Sequence, residues 1–142
     1  MTLSAFAAPE APGPIALDVQ YRPGVCNIGP AEIAARRRTG HVGVVAAILL
    51  FIVLVALGVP PIARIVIALP VAIAASGYLQ AYLKFCAGFG ARGVFNFGSL
   101  GTTDRVQDAV ARSADRRRAY QISLASFAIG LAVGIVAVVL PV

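Results

Sequence analysis

His41–Val59 reads HVGVVAAILLFIVLVALGV, 19 residues without one Asp, Glu, Lys or Arg. A helix rises 1.5 Å per residue, so about 20 such residues cross a hydrocarbon core of roughly 30 Å. Only a helix lets a single open segment satisfy its own backbone groups in lipid. Two further stretches have the same character: Ile62–Leu83, IARIVIALPVAIAASGYLQAYL, and Ala119–Leu140, AYQISLASFAIGLAVGIVAVVL, each of 22 residues. Arg64 stands near the start of the second and is expected to snorkel to the interface, while Pro70 removes a backbone donor and should bend the helix.

The rest of the composition agrees. Of the 142 residues, 59% are hydrophobic and 13% charged, with a mean hydropathy of +0.86. A soluble domain carries roughly 25% charged residues, so a water-soluble globule is excluded. The expectation is an all-α membrane protein with three transmembrane helices, spans 41–59, 62–83 and 119–140, joined on one side by the long loop 84–118.

Charge sets the expected orientation. Eleven of the twelve Lys and Arg residues precede the first span or lie between the second and third, and Arg64 alone is on the other side. By the positive-inside rule the N-terminus and loop 84–118 are cytoplasmic, and the Pro60-Pro61 turn and Val142 are outside. Residues 1–25 have no basic start followed by an apolar core, so no cleavable leader is expected, and Cys26 follows no apolar segment that would make it a lipid-anchored cysteine. Residues 1–24, with four prolines, read as an irregular cytoplasmic tail whose Leu17, Val19 and Tyr21 offer at most an extended binding segment.

An interfacial segment follows at 25–40. Pro30 at a first helical position and Glu32 in a first turn mark a short basic helix, with Gly40 permitting a bend before span one. Arg36, Arg37 and Arg38, and likewise Arg116, Arg117 and Arg118 before span three, are placed to meet anionic lipid headgroups. Lipid phosphates account for these clusters, so no nucleic-acid partner is expected. A second helix is expected from Thr103, capped by Thr102 or Thr103 and laced by the pairs Arg105–Asp108, Asp108–Arg112 and Arg112–Asp115.

Gly88 to Gly93 formally match G-x-G-x-x-G, but a membrane span precedes them in place of the strand that a dinucleotide site requires. The glycines and phenylalanines there read as a close-packed interfacial turn or a docking patch. Two thiols, Cys26 and Cys86, and the lone His41 are too few for a four-ligand metal or cluster site. There is no C-x-x-C, and the spans contain no carboxylate of the kind that relays protons in transporters. Neither catalysis nor a cofactor is expected. Small-residue stripes occur instead: Ala68, Ala72 and Ser76 on span two, and Ser126, Gly130 and Gly134 on span three, which let helices approach within one chain or across a membrane-protein partner or homo-oligomer contact.

The phrase CNIGPAEI at 26–33 followed by Arg36–Arg38, with YLKFCAGFGARGVFNFG at 82–98, resembles a group of small three-span bacterial inner-membrane proteins of uncharacterised activity. The resemblance implies a multi-pass protein of a bacterial inner membrane and no chemistry. The leading expectation is a non-catalytic accessory or assembly subunit of a larger membrane complex. Its docking surface would be Cys26, Asn27, Ile28, Gly29, Pro30 and Glu32 together with Phe89, Arg92, Phe95, Asn96 and Phe97. A small oligomeric pore lined by Ser76, Tyr78, Gln80, Ser123 and Ser126 is the first alternative, and a thiol redox or metal role for Cys26 and Cys86 the second.

Overall fold

The computed structural model describes residues 20–142. The expected tail therefore falls largely outside the described residues, including Leu17 and Val19. Three helical segments are long and apolar enough to cross a membrane: Pro30–Ala56, Pro61–Tyr82 and Ala109–Val139. The protein is an integral, multi-pass membrane protein of the all-α class.

The first of these is a single helix, α1, Pro30–Ala56. Pro30 occupies its opening turn and Glu32 its acidic position, as the sequence predicts. The expected interfacial helix and the first span form one helix that runs through Gly40 without interruption. Gly40 and Gly43 are instead buried contact points, facing Tyr78 and Ala74.

The second span changes its winding. Pro61–Ile67 is a 3₁₀ segment, and the α-helical part, α2, begins at Ala68 and ends at Tyr82. Pro70 supplies the physical reason: without an N–H, it cannot bond back to Val66 in an α ladder. Arg64 is 4% exposed, and its guanidinium donates to the carbonyl of Leu140 at 2.9 Å and to that of Val142. These are open acceptors at the end of the third span, where a cation is favoured.

Between the second and third spans lie a short helix α3, Ala87–Arg92, and an antiparallel pair of two-residue strands, β1 Val94–Phe95 and β2 Asp104–Arg105. Helix α4 runs Ala109–Val139. The helix expected from Thr103 thus starts six residues later. Asp108 is its true cap, its carboxylate accepting from the amides of Val110 and Ala111 at 3.3 and 2.9 Å. The three expected ion pairs are not formed. The sole ion pair among the described residues joins Glu32 to Arg36 at 3.4 Å.

Helix α2 is the middle of the bundle, packed on α1 along one side and α4 along the other. Both contacts use missing side chains. A methyl built on Gly77 would sit 2.5 Å from the Gly40 nitrogen, and one on Gly130 would strike the Ala68 carbonyl and come 2.7 Å from the Ala72 Cβ. The stripes Ala68–Ala72 and Gly130–Gly134 therefore face each other within one chain. Backbones this close gain dispersion contacts where lipid offers no hydrophobic drive.

Candidate functional site

At the end of the bundle that carries the basic clusters, residues 20–29 fold back over α3, β1 and the start of α4 to form a cap. Asn27 is fully buried and sits at its centre. Its side-chain nitrogen donates to the carbonyl of Cys86 at 3.1 Å, and its side-chain oxygen accepts from the Cys86 amide at 2.6 Å. Its backbone continues the pairing: the amide donates to Lys84 and the carbonyl accepts from Asn96. Ile28 is fully buried against Cys86 and Phe89. The segment that precedes span one is thus sewn to the segment that follows span two.

Asn96 is the second centre. Its side-chain nitrogen donates to Glu32 at 3.1 Å and to the Ser99 carbonyl at 2.9 Å, while its oxygen accepts from Gly98 and Thr102. Glu32 is 5% exposed and accepts from Arg36 through its other oxygen. Gly29 lies so close to Phe97 that a Cβ there would sit 2.9 Å from the Phe97 Cα. A buried polar network is tolerable only when its members find partners, and these do, apart from the Nε of Arg36.

Asp115, on α4, forms the third centre and is fully buried. It accepts from the Tyr21 hydroxyl at 2.8 Å and from the Gly24 amide at 2.7 Å. Tyr21 also stacks on Phe95 with ring centroids 4.9 Å apart. Burial, and then the hydrogen bond and negative charge of Asp115, hold the Tyr21 phenol well above its ordinary value of 10.0.

The candidate docking residues from the two segments are brought together, but most form the inside of the cap. Cys26, Asn27, Ile28, Gly29, Glu32, Phe89 and Asn96 are buried; Phe95 and Phe97 are half-buried; Pro30 and Arg92 are exposed. Their mutual fit, unlike a free docking face, is a set of intramolecular bonds. Cys26 and Cys86 are both free thiols at 4% and 2% exposure. No group of three or more His, Cys, Asp or Glu residues is placed to hold a metal among the described residues. Arg37, Arg38, Arg116 and Arg117 are exposed at this same end, Arg118 is half-buried, and Arg36 is held by Glu32.

Inside the bundle two grooves flank α2. One, of about 390 Å³, is lined by Ser76, Gln80, Ser123, Ser126 and Arg36 together with apolar residues such as Ala72, Ile73 and Phe127. Gln80 donates to Ser76 at 2.7 Å and accepts from the Ala87 amide, and Ser126 donates to the Ile122 carbonyl. Tyr78 turns elsewhere and meets His41 at 2.7 Å. The other groove, of about 370 Å³, is apolar and lies between α1 and α4, with Ala47, Ala74 and Ala137 low in it and Ile48, Val133 and Val136 on its rims. Small residues at 40, 43, 74 and 77 escaped the sequence reading because they share the glycine-alanine background of the spans. Their spacing of three, Gly40 to Gly43 and Ala74 to Gly77, was the available signal.

No protein family matches the chain, and neither does any curated protein or solved structure compared with it.

Proposed function

We propose that this membrane protein is a non-catalytic accessory or assembly subunit of a larger complex in a bacterial inner membrane. Its basic end would face the cytoplasm, with Arg37, Arg38, Arg116 and Arg117 among anionic headgroups. The observation that carries this reading is the apolar groove between α1 and α4. The two outer helices leave a channel along α2 with alanines at its base and exposed aliphatic rims, Ile48 at 54% and Val136 at 54%. Small residues low in a membrane groove admit a neighbouring helix at close range. The occupant proposed is a transmembrane helix of a different subunit.

Charge and orientation support the same picture. Eleven basic residues at one end give a strong topological anchor, and the cap below them is satisfied internally, so it needs no ligand to hold its shape. Ile48→Trp with Val133→Trp fills the groove from its rims without touching the α1–α2 or α2–α4 contacts. The pair should abolish a stoichiometric complex while leaving the unfolding temperature of the isolated protein within a few degrees. A complex that survives both substitutions removes the groove from the account.

The groove that holds Gln80 favours a second reading, a small oligomeric pore, because it gathers Ser76, Gln80, Ser123 and Ser126 into one lining. Gln80→Leu should reduce ion flux in reconstituted vesicles under that reading and leave it at background under the first.

A further inference from the structure

We infer that a cleft beside the cap, formed by Arg92, Arg105 and Arg112, binds a phosphate-bearing anion. The cleft measures about 480 Å³ and is also lined by Gly93, Val106 and Gln107. That volume lies within the range of small-molecule sites, roughly 300–1,000 Å³. Three arginine residues thus line one concavity, Arg92 with its guanidinium over the Phe89 ring, and among the described residues none of them makes an ion pair. The nearest acids in sequence are otherwise placed: Asp108 caps α4 with both oxygens, and Asp104 is exposed on β2.

Two of the three arginines are held by backbone carbonyls. Arg112 donates from one terminal nitrogen to Val106 at 3.0 Å and to Gln107 at 2.8 Å, which leaves its other terminal nitrogen and Nε for a ligand. Arg92 donates through Nε to Gly88 at 3.0 Å, leaving both terminal nitrogens. The wall between them is shaped to admit Arg112. Gly93 has a left-handed φ of 68°, and a Cβ there would lie 2.8 Å from the Arg112 Cδ. The Val94–Arg105 pairing and the bond from the Val106 amide to Gly93 fix the backbone of Arg105 beside the cleft.

Pre-oriented guanidinium groups recognise phosphate through paired N–H donors, and their mutual repulsion is relieved when a multiply charged anion enters. Arg112 precedes Ala119 by two helical turns, about 10 Å, so the phosphate can come from a soluble ligand or from a lipid headgroup. The site needs no partner subunit and stands apart from the proposed groove.

The test uses the full chain. Inorganic pyrophosphate is titrated by calorimetry in a non-ionic detergent, and phosphatidic acid is compared with phosphatidylcholine in nanodiscs. Arg105→Ala and Arg92→Ala, both exposed positions, should each raise the pyrophosphate Kd at least fivefold, whereas Arg116→Ala with Arg117→Ala should leave it within twofold. That pattern supports the site with a soluble ligand. The same pattern seen only with phosphatidic acid supports it with a headgroup ligand. No binding of either probe, or equal losses in the Arg116/Arg117 control, overturns the inference.

Discussion

Asn27 commits both ends of its amide to one residue, Cys86, whose amide has no other partner among the described residues and whose carbonyl also accepts from the Gly90 amide. Asn27→Leu keeps the branched shape and leaves the Cys86 amide unpaired, which should cost about 1–3 kcal/mol. Denaturant unfolding in detergent measures the loss, and hydrogen exchange should accelerate at the Cys86 amide before other cap amides. Asp115 acts at the same scale. Asp115→Ala frees Tyr21 and Gly24, so chymotrypsin should cleave after Tyr21 several-fold faster, with the spans intact. The Tyr21 phenol supplies a pH test. Its value is raised on folding, so its contribution is fully present below pH 10 and falls as the pH climbs above it, because the unfolded chain ionises first. Tyr21→Phe should flatten that alkaline loss of stability, and an unchanged alkaline slope would disconnect Tyr21 from the latch.

The helices themselves were legible because hydrophobic length is a direct physical signal: spans 41–59 and 119–140 fall on α1 and α4 and overrun them only at residues 57–59 and at Leu140. The second span was legible as a span but not as a 3₁₀ segment leading into a helix, since winding depends on how Pro70 is accommodated. The start of α4 was misread for a reason of competition. Thr102, Thr103 and Asp108 are all good caps, and the strand pairing of Asp104 and Arg105 with β1, which lies outside any one helical window, selects Asp108. The buried roles of Asn27, Asn96 and Asp115 were not legible. Polar residues near charged loops look solvated until the chain is seen folding back over them. At this scale Gly130 is decisive. Gly130→Ala should destabilise the α2–α4 contact by about 1–3 kcal/mol through overpacking against Ala68 and Ala72. The effect should appear in the unfolding of the isolated protein. An unchanged unfolding free energy would remove the stripe from the intramolecular contact.

Taken as a whole, the molecule divides into a closed cap and an open bundle. Polar groups in the cap pair with one another, whereas the apolar groove leaves α1 and α4 without a mutual contact surface along α2. Under the proposed function, the basic end would anchor the molecule and the apolar groove would take the helix of another subunit. The most direct measurement is the native mass of the tagged protein after extraction in mild detergent from the cells that make it, with identification of every stoichiometric component. A larger assembly containing a different membrane subunit, lost in the Ile48→Trp/Val133→Trp variant, is the predicted result. A lone monomer or a homo-oligomer would contradict the accessory-subunit account.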